Sequence, residues 1–333
     1  MRGSSLTVAT RLLVPVLATW IGAMAGCAGH PVVARQSVQP PPPQDNHSVE
    51  ELPLHDDAGT VYFSRGTSGP LPRKRPLVVL VPGFAADEAD YRSTSRALAA
   101  AGFVVAGLNH HFGFVTALRC MTQRDGYENV RRSLRLVLRD AERPTSPLYG
   151  RIDANHIGAM GHSYGGKLAL WLTSEEGLDA VVAVDPVDGG GDRRPDRCPS
   201  APNGFPRVAP LLGSPYSPPT LILTAGRSGD CAPSSSNGSV LFDAARANAL
   251  EIRLPHASHT DFLDAAAGFC LACKLCPPSA EAKGSVLGFT RRVSARFFDE
   301  TLALRRGMPA PSDLVPALDA PVVEVRARPK GSR

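Results

Sequence analysis

Hydrophobic positions along this chain fall into two alternating patterns. Short runs of aliphatic and β-branched residues have the length of strands buried on both faces: Leu77–Val81 (LVVLV), Phe103–Ala106, Ile157–Met160, Ala180–Val184, Thr220–Thr224 and Ala249–Leu254. Between them lie longer stretches with helical character. Tyr91–Ala101 is rich in alanine, and Tyr127–Glu142 sets Val130, Leu134, Leu136, Val137 and Leu138 among arginines. Gly165–Thr173 and the amphipathic Thr290–Leu304 complete the set. Apolar strands separated by helices predict the α/β class, with a mostly parallel sheet covered on both faces. Such a sheet takes its ligand at the carboxyl ends of the strands. No internal repeat interrupts the pattern.

The two ends of the chain break it. Arg2 and Arg11 precede the apolar run Leu12–Ala25, which has the length of a signal-peptide core and is short for a membrane span. The run ends in Ala25-Gly26-Cys27, small residues before a cysteine that resemble the processing box of bacterial lipoproteins. Residues 1–27 are therefore expected to be an export signal, with Cys27 as a lipid attachment site and plain secretion as the alternative. The stretch 28–58 carries Pro40–Pro43 among polar residues and reads as an extended tether. Residues 307–333, rich in proline and charge, read as a loose tail in which Val322–Val325 can pair as an edge strand. The folded domain is expected over 59–306.

Charge changes this picture little. The 333 residues carry a net charge of +5, with lysine and arginine scattered among acids and only 6% aromatic residues. No basic face interleaved with aromatics emerges, which argues against a nucleic-acid partner. The expected membrane contact is limited to the anchor at Cys27.

Candidate chemistry centres on Gly161–Leu170, GHSYGGKLAL. A bare G-x-S-x-G is weak, but here the predicted strand Ile157–Met160 leads into it and a helix continues from Lys167. That is the strand–turn–helix of a nucleophile elbow, with Ser163 at its tip. Side chains at Gly161 or Gly165 would meet the neighbouring strand and helix. A serine nucleophile needs a histidine base and an orienting carboxylate, in the order Ser, acid, His. Downstream, LILTAGRSGDCAP places Asp230 after a strand, and EIRLPHASHTDFLD places His256 and His259 after the next. His259, deeper in its loop, is the preferred base, and His256 the residue expected to pack structurally. Asp230 is the preferred acid, with Asp185 and Asp188 of AVDPVDGG as rivals; a losing aspartate caps a loop or helix. Oxyanion donors are expected at the backbone N–H of Tyr164 and of Phe84, the latter in VPGFAADEADY after the first core strand. The loops His110–Arg124 and Gly189–Ser217 are expected to line the pocket, the second as a lid.

These motifs resemble the α/β-hydrolase superfamily, and within it the chlorophyllase-like branch near dienelactone hydrolases and cutinase-like polyesterases. The resemblance rests on VPGF before a tyrosine-bearing helix, on GHSYGGKLAL, on AVDPVDGG, and on SHTDFLD followed by CLACKLC, and it spans about Leu77 to Leu304. It implies carboxylic-ester hydrolysis by a serine triad without a cofactor. Tyr164 stands where chlorophyllases typically show arginine. Polyester or lipid hydrolysis is the alternative activity, and a non-catalytic, lipid-tethered binding protein the alternative class.

Six cysteines remain besides Cys27: Cys120, Cys198, Cys231, Cys270, Cys273 and Cys276. In an exported protein an even number favours disulfides. A bridge from Cys231 to one of Cys270, Cys273 or Cys276 would tie the Asp230 loop to the segment after His259. The spacing of the last three also suits a metal, but no second cluster accompanies them, so no metal is expected.

Overall fold

The computed structural model describes residues 48–64, 74–189, 207–214, 217–264, 279, 283–314 and 323–329. The signal segment with Cys27, most of the tether, the centre of the expected lid, and Cys198, Cys270, Cys273 and Cys276 lie outside the described residues.

The strands are β1 (Val49–Pro53), β2 (Gly59–Ser64), β3 (Arg75–Val81), β4 (Val104–Leu108), β5 (Ile152–His162), β6 (Ala180–Val184), β7 (Thr220–Ala225), β8 (Ala249–Leu254) and β9 (Glu324–Arg328). They form one sheet in the order β1-β2-β4-β3-β5-β6-β7-β8-β9. The six strands from β4 to β8 run parallel, while β1 and β2 at one edge and β9 at the other pair antiparallel. The helices are α1 (Arg92–Ala100), α2 (Phe114–Leu118), α3 (Gln123–Glu142), α4 (Tyr164–Glu176), α5 (Gly238–Ala244), α6 (Lys283–Phe298) and α7 (Pro311–Leu314).

Strand β3 shows why these runs are apolar without alternation. Leu77, Val79 and Val81 pack into one layer with Val130, Leu134 and Val137 of α3 and Leu168 and Leu172 of α4. Val78 and Leu80 point the other way, into a layer with Leu98 of α1 and Val286, Phe289, Val293 and Phe297 of α6. With both faces covered, no position of the strand is left for a polar side chain. The buried positions of α3 follow helical spacing, and Thr122 and Asp125 cap its start reciprocally. Leu136, read from the sequence as part of that apolar face, is instead 48% exposed.

Two boundaries move. Residues 49–53, expected in the tether, form β1, paired along its whole length with β2, so the folded domain begins ten residues earlier than expected and two strands precede the expected first one. VEELP has little apolar content because an edge strand is only half covered. At the other end the tail contributes α7 and β9. Strand β9 starts at Glu324, and its side chains are exposed; what holds it is pairing with β8 and the Arg326 guanidinium on the buried Glu251 carboxylate.

The elbow between β5 and α4 is the tightest point. Ser163 takes φ 57° and ψ −123°, a costly conformation for a residue with a side chain. A Cβ on Gly165 would lie 2.2 Å from the carbonyl oxygens of both Val81 and Pro82, and one on Gly161 2.1 Å from the Gly165 oxygen. Gly165→Ala is therefore expected to cost at least about 1–3 kcal/mol, seen as a lowered thermal midpoint. Gly284→Ala, where nothing lies within 4 Å, serves as the control and leaves the midpoint unchanged or slightly raised. Equal midpoints for the two variants would contradict the close approach.

Candidate active site

The carboxyl ends of β5, β6 and β8 bring three side chains together. Ser163 follows β5, Asp185 follows β6, and His259 opens a short turn (His259–Phe262) beyond β8. Ser163 Oγ donates to His259 Nε2 at 2.9 Å, and His259 Nδ1 donates to Asp185 Oδ2 at 2.6 Å. Asp185 is fully buried, whereas Ser163 and His259 keep 9% and 7% of their surface accessible. The set is sealed at its carboxylate end and open at its hydroxyl.

The structure thus brings together Ser163 and His259 as expected, and the carboxylate it sets on His259 is that of the rival Asp185, not of the preferred Asp230. Asp230 is exposed on a short turn (Gly229–Cys231), and His259 Nδ1 is taken by Asp185. The loop after β7 contributes in another way. Ala225 N–H donates to Asp185 Oδ1 at 3.0 Å and the Ser228 hydroxyl to Asp185 Oδ2 at 2.5 Å. The next strand therefore supplies donors to a carboxylate that comes from β6. Asp185 has φ 37°, a turn that lets its side chain fold back towards the histidine. Nothing in the sequence around Asp185 signals this, because the deciding groups are a backbone amide and a serine about 40 residues away.

The other candidates take supporting places. Asp188 accepts from the backbone N–H groups of Val208 and Ala209, capping the turn Ala209–Gly213, and lies 3.7 Å from the buried Lys167 ammonium. His256, expected to pack structurally, is exposed instead. Cys120 and Cys231 are both disulfide-bonded. Among the described residues no group of three or more His, Cys, Asp or Glu is arranged to hold a metal.

The loop after β3 packs directly on the nucleophile. A Cβ at Gly83 would sit 3.1 Å from the Tyr91 hydroxyl and 3.2 Å from His162 Nδ1, tighter than ordinary contact, and 3.4 Å from Ser163 Cβ. The loop is held from outside by His110, whose Nε2–H donates to the carbonyls of Gly83 at 2.9 Å and Pro82 at 3.1 Å. Around it the rings of Phe84, Phe112, Tyr164 and His110 pack edge to face or tilted, 5.0–5.4 Å apart. The Tyr164 hydroxyl donates to the Gln123 carbonyl at 2.7 Å, tying the first residue of α4 to the start of α3. His110, Tyr91, His162 and Ser228 were not singled out by the sequence reading; buried polar side chains beside the elbow are found only when the loops are folded together.

Burial holds His110 down to about pKa 4. Its Nδ1 accepts from the Phe112 N–H at 2.8 Å, so a proton there would set N–H against N–H. A histidine near the ordinary value of 6.5 in the unfolded chain binds a proton that the folded chain refuses. Stability contributed by neutral His110 is thus present above pH 6.5 and falls as pH drops from 6.5 towards about 4. The loss reaches about 3 kcal/mol at most. His110→Asn is expected to flatten the fall of thermal midpoint over that interval, and parallel curves for variant and parent would refute it.

Residues 45–194 match the protein-family model PETase, described as PET hydrolase-like. No curated protein matches the chain. The matched stretch runs from the first strand through the Ser163 elbow and Asp185, and stops before the strand that leads to His259. The chlorophyllase-like branch is a narrower placement than this match carries. Sheet order and elbow give the chain the α/β-hydrolase fold, and the family match gives it carboxylic ester hydrolase activity.

Proposed function

We propose that this protein is an exported serine hydrolase that cleaves the ester bonds of polyesters or similar extended esters. The single observation that carries the chemistry is the run of contacts from Ser163 Oγ through the His259 ring to the buried Asp185 carboxylate. The PET hydrolase-like match over residues 45–194 favours a polymeric or oligomeric ester over a small soluble one. The chlorophyllase-like likeness rests on motifs alone, so chlorophyll is the lesser reading. Export and a lipid anchor at Cys27 are supported by the leader sequence.

In this reading Ser163 Oγ attacks the ester carbonyl carbon while His259 Nε2 takes its proton. Asp185 holds Nδ1–H, so the nitrogen facing the serine is the basic one, and stabilises the imidazolium that forms. The negative charge on the former carbonyl oxygen falls at the start of α4 and beside the Gly83–Phe84 turn, where the Tyr164 and Phe84 N–H groups are the assigned donors. The imidazolium then protonates the departing alkoxide, leaving an acyl-Ser163 ester. A water deprotonated by His259 attacks that ester, and a carboxylic acid leaves as the serine is restored.

A fluorophosphonate is expected to label Ser163, and Ser163→Ala to abolish labelling together with hydrolysis of both p-nitrophenyl esters and polyester film. Turnover that survives in this variant would end the proposal, and turnover confined to short p-nitrophenyl esters would remove its polymer part.

Asp185→Asn is expected to lower kcat by about 10⁴-fold, as loss of an orienting carboxylate does. Asp230→Asn leaves kcat within about 2-fold, since an exposed side chain away from the reacting groups sets no barrier. The reverse ranking would return the role to Asp230.

A further inference from the structure

Two buried polar side chains that the mechanism does not use join the three loops of the site. Tyr91, from the turn before α1, is 4% exposed, and His162, the residue before the nucleophile, 5%. The Gly83 N–H donates to the Tyr91 hydroxyl oxygen at 3.1 Å. That hydroxyl in turn donates to His162 Nδ1 at 2.7 Å, and His162 Nε2–H donates to the His259 backbone carbonyl at 2.9 Å. The direction of every bond is fixed. The amide can only donate and the carbonyl only accept, so the tyrosine proton must point at Nδ1 and the ring must carry its proton on Nε2. Protonation of the ring would turn Nδ1 into a donor facing a donor. Burial, with the nearby His259 ring adding to it, keeps His162 neutral well below its ordinary range.

This chain begins at Gly83, next to Phe84 in the proposed oxyanion turn, passes the residue bonded to Ser163, and ends on the backbone of the proposed base. The His162 and His259 rings are 4.5 Å apart at their centroids, so a shift of one is felt by the other. Each loop leaves a different strand, and among the described residues no backbone hydrogen bond joins the Gly83 turn to the His259 turn.

We propose that Tyr91 and His162 are positioning residues for ester hydrolysis, forming one strut that sets the spacing between the oxyanion turn and the base. The proposal rests on the catalytic reading of Ser163, His259 and Asp185. Neither residue touches the reacting atoms, so their loss acts on geometry, and a small misplacement of catalytic groups costs up to about 100-fold. Tyr91→Phe keeps the ring and removes only the hydroxyl. His162→Gln keeps a donor in reach of the His259 carbonyl and removes the acceptor facing Tyr91.

The test measures kcat and KM on a p-nitrophenyl ester for Tyr91→Phe, His162→Gln and the double variant, with active sites counted by fluorophosphonate so that misfolded protein is excluded. Each single variant is expected to lose roughly 10- to 100-fold in kcat with KM within about 2-fold. The double variant loses no more than the worse single one, because the two side chains are one device. Wild-type kcat in Tyr91→Phe, or losses that multiply in the double variant, would overturn the strut. A second readout is independent of turnover and is made in the Ser163→Ala background. Nitrogen NMR of the histidines is expected to show His162 as a single neutral Nε2–H tautomer, which Tyr91→Phe converts to a mixture. A tautomer indifferent to Tyr91 overturns the proposal even in an active enzyme, whereas the expected spectrum in a protein without esterase activity condemns the catalytic reading and leaves the strut.

Discussion

A carboxylate removed from water must have its lone pairs met by donors, and the site is arranged around meeting that condition for Asp185. Its two oxygens receive the Ala225 amide, the Ser228 hydroxyl and the His259 ring. Among the described residues no lysine or arginine pairs with it. The donors come from the ends of β7 and β8, so satisfying one buried charge draws the strand ends of half the sheet to a common point. The imidazole orientation follows from this, since the ring is one of the three donors, and the direction in which Nε2 faces Ser163 follows from the ring.

The second constraint is steric. The nucleophile sits in a backbone conformation that the chain would not adopt unaided, and it is held there by its neighbours. The Ser163 carbonyl accepts from the N–H groups of Gly166, Lys167 and Val187, while its own N–H donates to Val184. Glycines at 161 and 165 allow strand, turn and helix to approach at distances no Cβ would permit. Strain at the turn is thus balanced by main-chain bonds to its surroundings and requires no bulky packing at the serine, which leaves the hydroxyl accessible. Buried neutral histidines reinforce the arrangement. His110 holds the carbonyls of the Pro82–Gly83 turn, and His162 spans from Tyr91, which accepts from the Gly83 amide, to the base loop. Both work as fixed donor–acceptor pieces because burial keeps them uncharged.

The aromatic group of Phe84, Phe112 and Tyr164 ties the Gly83 turn to the start of α4. It lies beside the serine on the side of the Gly83 turn, and the neighbouring helix α2 carries Val115, 63% exposed. The Tyr164 hydroxyl bond to Gln123 fixes this group against α3, and Gly126 leaves room for it, since a Cβ there would be 2.8 Å from the hydroxyl.

Much of this was legible in the residues. Continuous apolar runs such as LVVLV and AVVAV identify strands buried on both faces, so the parallel core, its alternation with helices, and the elbow between β5 and α4 could be read directly. The edges could not: β1 and β9 have polar or charged sequences because their pairing is made by backbone groups, which are the same in every residue. Ser163 and His259 are marked by local context, a glycine-flanked turn and a loop after a strand. The choice of Asp185 over Asp230 was hidden for a different reason. Both aspartates end a buried strand, and what separates them is the distance to the His259 ring and the donors from Ala225 and Ser228. Those are properties of neighbouring strands in space, and strand order is set by long-range pairing and burial. The amino-acid sequence by itself determined the class of fold and the place of Ser163 at the elbow; only the tertiary structure, by deciding which loops share the same rim, determined which carboxylate meets His259.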